Sequence, residues 1–476
     1  IKLTLKEVFH MNKAADSSKN KRQLAFPHVL LIMISLIIIL CIMSYIVPAG
    51  VYDVDPATGV VLPESFHYVD QNPISPLSAL FMLYDGIAQS GNMFALIMVI
   101  GGMIYMIISS NSVEEIIDYA LWRLQEKGMT VLIPVIMILI SLMGTLAGND
   151  SMITFIIVGL LFVKRLNLDR IAAMSIFYLP YISGQAVGPT TGIIVLAQEA
   201  CGLPVMSGLA VRAILWVIIT SFCIFYTMRY CKKISKNPSL SIIGETEHMA
   251  EGEELDLSQK KSLSAKAVLT VLFLILPFVI YAIGSASMGF GLGHLIGLSL
   301  GAAIIVSLVH KWTPNEFARR FMKGAGDMGA VCMLVGFGRV AGMVLSDSSI
   351  INTISNAAVQ LIGRFGTAGS AVGMFIFTSL FNLLMPNGLA KIPVLMPLFV
   401  PVADILGISR QILSLCYQLG DGLTNFITPM STVLASGLMI ANVNYIKWMK
   451  YIIPYVCTLM AFGAVAIMFL QTIGWS

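Results

Sequence analysis

Apolar runs of about twenty residues recur along the whole chain with polar stretches between them, and that spacing leaves few folds open. Each run is long enough to cross the hydrocarbon layer as a helix, and no segment alternates like the strand of a membrane barrel. Hydrophobic residues make up 57% of the 476 and charged residues 11%, with a mean hydropathy of +0.86. No soluble core needs that much apolar sequence. The expected fold class is an all-α integral membrane protein whose solvent is the lipid bilayer. The net charge of +4 traces to loops, so no nucleic-acid partner is expected. Seven cysteines (Cys41, Cys201, Cys223, Cys231, Cys332, Cys416, Cys457) stand singly in or beside apolar runs, which points to buried small hydrophobes rather than a disulfide framework or a zinc site.

Polar and helix-breaking residues concentrate between Asn382 and Ser431. The chain reads Met385-Pro386-Asn387-Gly388 with Lys391 just beyond, then Gly420-Asp421-Gly422, Thr424-Asn425 and Pro429-Met430-Ser431. At membrane depth, backbone amides freed by proline or glycine are tolerated only where protein or a polar cavity satisfies them. Two such breaks mark a binding site.

In chain order, residues 1–26 form a polar segment with Lys2, Lys6, Lys13, Lys19, Lys21 and Arg22, which the positive-inside rule places in the cytoplasm. A first span over Val29 to Val47 leads to a loop, Pro48 to Pro76, that holds Asp53, Asp55, Glu64 and Asp70 but no Lys or Arg and so belongs outside. After a span over Asn92 to Ile108, residues Asn111 to Gly128 carry apolar positions at helical spacing with charges between them, an amphipathic interfacial helix. The short runs Val131 to Leu146 and Met152 to Val163 flank Gly148-Asn149-Asp150-Ser151 and are read as a re-entrant hairpin rather than two crossings. A span from Ile171 breaks at Gly184 to Gly192, and another covers Leu209 to Met228. A polar cytoplasmic linker, 229–266, precedes runs at Ala267 to Ile283, Leu292 to Val309 and Met328 to Leu345.

The two halves repeat each other. Ser75-Pro76 matches Thr313-Pro314 and Asn149 matches Asn387 at an offset of 238, while Arg170, Gln185, Pro189 and Thr191 match Arg410, Asn425, Pro429 and Ser431 at 240. The expected organisation is a first repeat over 27–228 (hairpin 130–165, broken helix 168–200) and an extra span plus a second, inverted repeat over 267–476 (hairpin 367–403, broken helix 408–442). Lys447, Trp448 and Lys450 fall at the cytoplasmic face, so the last span, Ile452 to Leu470, leaves the carboxyl terminus outside. Inverted repeats with broken helices describe a secondary transporter working by alternating access.

The residues Ile46-Val47-Pro48-Ala49-Gly50-Val51-Tyr52, Gly338-Arg339 with Ser346-Asp347, Met385-Pro386 through Met396-Pro397, and above all Gln418-Leu419-Gly420-Asp421-Gly422-Leu423-Thr424-Asn425 with Pro429-Met430-Ser431 carry a resemblance. The chain resembles the dicarboxylate anaerobic carrier family (DcuC/YfcC type, which includes bacterial arginine/ornithine exchangers) of the ion-transporter superfamily. The resemblance implies an elevator-type transporter, a homodimer in the cytoplasmic (inner) membrane, and a small carboxylate-bearing solute, dicarboxylate or amino acid, as substrate. It departs from the family's pattern at three places. Asn149-Asp150 stand for adjacent glutamates at the first tip, Gly188-Pro189 for Asn-Pro in the first break, and Lys391 for serine and glycine at the second tip.

The expected substrate site comprises Asn149, Asp150, Ser151, Gln185, Thr190, Thr191, Asn387, Gly388, Lys391, Asn425, Thr428 and Ser431. No cofactor is expected beyond a coupling ion, sodium or a proton, with sodium placed near Asn149, Asp150, Gly188, Thr424 and Asn425. The plainer readings are that these side chains cap helices, that Asp421 caps a helix start, that Arg170 and Arg410 snorkel, and that Arg339 pairs with Asp327. Asp150 and Lys391 resist them, since a lone charge at membrane depth costs about 3 kcal/mol on insertion scales. They bind a zwitterionic substrate or pair with each other. A channel would need one continuous polar pore. An intramembrane hydrolase would need a nucleophile beside a base, yet all six histidines lie away from the breaks and no Walker or zincin motif occurs. The chain is not expected to be an enzyme.

Overall fold

The computed structural model describes residues 29–53, 65–124, 128–146, 154–244 and 261–476. Among these, the only strands are Gly50–Val51 and His67–Tyr68, one short antiparallel pair; the rest of the regular structure is helical. The first half contains α1 (Val29–Ile46), α2 (Pro76–Gln89), α3 (Gly91–Ile108), α4 (Ser112–Leu124), α5 (Met129–Leu146) and α6 (Thr154–Arg165). It closes with the broken pair α7 (Arg170–Val187) and α8 (Gly192–Ala200), and with α9 (Leu209–Lys236). The second half opens with α10 (Ala265–Met288) and α11 (Leu292–Val309), followed by α12 (Pro314–Asp327), α13 (Gly329–Asp347), α14 (Ile350–Ile362), α15 (Gly366–Leu384) and α16 (Gly388–Ile405). It ends with a second broken pair, α17 (Arg410–Thr424) and α18 (Thr432–Ile440), and with α19 (Tyr445–Thr472). From α2 onward the succession of helices occurs twice, and both closing helices are 28 residues long. Nine helical stretches among the described residues are long and apolar enough to cross a membrane, which makes this a multi-pass membrane protein.

Two helices, α2 and α12, were not foreseen from hydropathy. Each opens on a hydroxyl cap followed by proline: Ser75 Oγ accepts from the Ser78 amide at 3.0 Å and Thr313 Oγ1 from the Glu316 amide at 3.2 Å. The cap satisfies an orphan N–H while proline presets the first helical φ. Other charges settle differently from expectation. Asp327 pairs with Lys323, its neighbour one turn back on α12, and Arg339 instead donates to Gln89 Oε1 at 3.1 and 3.2 Å. Trp448 is fully buried rather than interfacial, with its indole N–H donating to the Phe426 carbonyl at 3.0 Å.

The centre of the molecule is made of the two broken helices. Every residue of α7 from Ile171 to Gly184, and every residue of α17 from Gln411 to Thr424, is buried. The helix α7 packs on α5, α6, α9 and α17, and α17 packs on α7, α8, α15, α16 and α19. Backbones meet where these helices cross. A Cβ on Gly422 would lie 2.2 Å from Cα of Ala186, and one on Gly184 2.1 Å from the Ser141 carbonyl oxygen, so both positions admit only glycine without displacement.

Candidate functional site

Where α7 gives way to α8, α15 to α16 and α17 to α18, the three breaks converge on a cavity of about 260 Å³. Its polar wall is Gln185, Thr191, Asn387, Asp421, Asn425 and Ser431. Local chemistry fixes several of them. Thr191, Asn387 and Ser431 are the N-caps of α8, α16 and α18, accepting from the amides of Ile194 (3.3 Å), Ala390 (3.0 Å) and Leu434 (3.3 Å). Three helix N-termini therefore face one cavity, and each brings partial positive charge to it. Gly388 lets Asp421 approach closely, since a Cβ there would stand 2.7 Å from Asp421 Oδ2 and push the carboxylate aside.

Behind the cavity wall lies a buried charged cluster. Lys391, one turn into α16 and wholly inaccessible, donates to Asp421 Oδ1 at 2.6 Å and to Asn382 Oδ1. Asn382 Nδ2 in turn sits 2.7 Å from the Asp421 carbonyl, 2.8 Å from Thr424 Oγ1 and 2.8 Å from Asn425 Oδ1. The second carboxylate oxygen, Asp421 Oδ2, is buried and has no hydrogen-bond partner among the described residues. Asp421 belongs to the cavity lining, whereas Lys391 stands behind it.

A second cation lies on the same helix face. Along α17 the polar residues Gln411, Ser414, Gln418, Asp421 and Asn425 follow a three-four spacing that puts them in one seam, all but Asn425 fully buried. Arg212 of α9 reaches that seam, donating to Gln418 Oε1 at 2.6 Å and Ser414 Oγ at 2.7 Å. Gln418 passes the link on, its Nε2 donating to the Gly188 carbonyl at 2.7 Å. Among the described residues Arg212 has no carboxylate partner. Among the described residues this seam thus holds two buried cations, Arg212 and Lys391, and one buried anion, Asp421.

The structure gathers some of the expected site residues and separates others. Gln185, Thr191, Asn387, Gly388, Asn425 and Ser431 line the cavity. Thr190 turns away to the Thr145 carbonyl at 2.8 Å, and Thr428 is buried against the Leu383 carbonyl at 3.3 Å. Asn149, Asp150 and Ser151 lie outside the described residues, as do residues 1–26, Asp55, Glu64 and the acidic centre of the linker. Lys391 pairs with Asp421, which docking of α16 against α17 brings within reach, and its alternative partner Asp150 lies outside the described residues. Asp421 is accordingly no helix-start cap but sits in the last turn of α17. Of the residues expected around sodium, Gly188, Thr424 and Asn425 each present an oxygen that accepts an N–H donor, while Asn149 and Asp150 lie outside the described residues. Asp421 as a cavity group, Asn382 and Arg212 were not foreseen as site residues.

The C4-dicarboxylate anaerobic carrier family matches this sequence over residues 26–472. The chain belongs to that family. This carrier is therefore a membrane transporter, not an enzyme. It is 28% identical over 508 residues to "Putative basic amino acid antiporter YfcC" of Escherichia coli (strain K12), across 97% of this chain and 99% of that protein. It is 22% identical to an uncharacterized protein of Haemophilus influenzae, across 94% of this chain and 98% of that one. Among solved structures it is similar to the YdaH transporter of Alcanivorax borkumensis, with a TM-score of 0.67 at 16% identity over 94% of this carrier and 99% of that chain. MtrF of Neisseria gonorrhoeae, which represents a class of antimetabolite efflux pumps, gives 0.62 at 16% identity over 94% and 95%. At such identities the likeness establishes the fold alone.

Proposed function

We propose that this carrier exchanges amino acids, the basic ones foremost, across the cytoplasmic membrane by alternating access. The observation that carries this reading is the unpartnered Asp421 Oδ2 in a cavity onto which three helix N-termini open. The N-termini suit a carboxylate and Asp421 suits an ammonium, which together describe an α-amino acid. A C4-dicarboxylate would set its second carboxylate against Asp421. The name of the relative from Escherichia coli points the same way. Exchange rather than sodium symport is favoured because a fixed ammonium, that of Lys391, is already bonded to Asp421 and to Asn382, which links on to Thr424 and Asn425.

Labelled L-arginine should accumulate in proteoliposomes loaded with L-ornithine about tenfold over empty ones, with sodium or potassium outside, and Asp421→Asn should reduce that uptake about a hundredfold. Arg212→Met removes the donor to buried Gln418 Oε1 and Ser414 Oγ, so thermal stability should fall by about 1–3 kcal/mol while KM for arginine climbs about tenfold. Counterflow of succinate or fumarate without any amino-acid signal would overturn the reading.

The same proposal takes the halves as inverted repeats and α5–α6 and α15–α16 as re-entrant hairpins. Hairpins and broken helices then move as one body against the dimeric scaffold of an elevator. The doubled succession of helices and the backbone contact of α7 with α17 support it. With the amino terminus inside and the carboxyl terminus outside, cysteines placed after Lys236 and after Gly474 should label from opposite faces of oriented cells. Labelling of both from one face would remove the inversion.

A further inference from the structure

A second cavity, about 590 Å³, lies at the far ends of two helices that begin at the central site. The helix α8 leaves the central cavity at Thr191 and Gly192 and reaches the second one at Glu199, seven residues and about 10 Å further on. The helix α16 joins them in the same way, from Gly388 to Met396 and beyond. The opposite wall is formed by the α2–α3 junction and α13, which contribute Gln89, Ser90, Asn92, Arg339 and Ser346. Its volume falls in the range of small-molecule sites, about 300–1,000 Å³.

Opposite charges stand on these walls without neutralising each other. Glu199 occupies the last turn of α8, where the helix dipole disfavours a carboxylate, and its Oε2 is buried with no hydrogen-bond partner among the described residues. Arg339 directs Nε and Nη2 at a single neutral oxygen, Gln89 Oε1, which leaves its charge without an anion. Neither residue is in an ion pair among the described residues. Helix stability does not explain Glu199, and the neutral Gln89 does not explain the charge of Arg339. A solute carrying both a carboxylate and a cationic nitrogen satisfies the two together.

We infer that this cavity is a second binding station for amino acids with a cationic side chain, in which Arg339 takes the α-carboxylate and Glu199 a cationic nitrogen. It rests on the amino-acid reading above and deepens it, placing a station about 10 Å from the central one along α8.

Ser346 lines this cavity and can report on its occupancy. In a Cys457→Ser background, which removes the exposed native thiol, Ser346→Cys is labelled with a cationic methanethiosulfonate in detergent-purified carrier. L-Arginine should slow labelling at least about fivefold, and succinate should not. Agmatine, which lacks the carboxylate, should protect less. Adding Glu199→Gln or Arg339→Gln should abolish protection by arginine, whereas adding the pair Lys391→Met/Asp421→Leu, which removes the central acid without leaving a lone buried charge, should preserve it. Unchanged labelling in the presence of arginine, protection that survives both charge variants, or protection lost in a folded Lys391→Met/Asp421→Leu carrier would each overturn the second station. Labelling reads occupancy and not transport. A carrier that is protected by arginine but exchanges no amino acid would instead count against the proposed function and leave the station standing.

Discussion

Lys391→Met is expected to abolish exchange and to lower the thermal stability of the purified carrier sharply. The ammonium is wholly buried, and its removal leaves the buried Asp421 carboxylate without its ion-pair partner. Breaking a buried pair from one side costs about 3–5 kcal/mol, a factor of about a hundred or more in the folded ratio. The double variant Lys391→Met/Asp421→Leu removes both charges and should recover most of the stability, because a buried ion pair is no better than well-packed apolar groups of its size. It should recover none of the exchange, since the carboxylate that faces the cavity is gone. Thermal melts and arginine counterflow on the two variants separate these effects. Exchange restored in the double variant would reduce the pair to a structural tie and leave the substrate site without its acid.

Gly422→Ala should be nearly as damaging, for a reason that involves no charge. The added methyl would meet Cα of Ala186 at 2.2 Å, and neither backbone can yield without parting the two helices that carry the site. Overpacking of this kind costs about 3 kcal/mol and reshapes whatever lies beside it. Gln185 and Asn425 line the cavity next to this crossing, so surviving protein should exchange arginine poorly. Gly297→Ala in α11 is the control. A Cβ there meets nothing within 4 Å, and the change should be neutral or stabilise the helix by up to about 1 kcal/mol. Equal yields and melts for the two variants would show that the crossing tolerates more than its geometry allows.

Hydropathy was enough to place the spans, because twenty apolar residues have little else to do; α11 follows its expected limits, Leu292 and Val309, to the residue. The breaks at Gly188 and Asn425 were equally plain, since glycine, proline and hydroxyl groups announce them in sequence. α12 was hidden by its polarity and α2 by its Asp85 and its continuity with α3, although their Ser-Pro and Thr-Pro openings were a usable signal. The partner of Lys391 was illegible for another reason. It lies thirty residues on, and only the docking of α16 against α17 brings it to 2.6 Å. Arg212 looked like an ordinary charge near the start of a span. The spacing of Gln411, Ser414, Gln418, Asp421 and Asn425 could have exposed the face it binds, because no lipid-facing helix carries five polar groups in a row.

That row has a consequence for the tightness of the membrane. From Gln411 to Asn425 it extends about 21 Å, a file of hydrogen-bonding groups along which protons could hop and short-circuit a transmembrane proton gradient. Arg212 and Lys391 are set into it at two levels, each wholly buried. Fixed positive charge repels hydronium, as it does in water channels that pass solvent but no protons. Two side chains that bind Gln418 and Asp421 thereby also stand as a barrier to protons along the row.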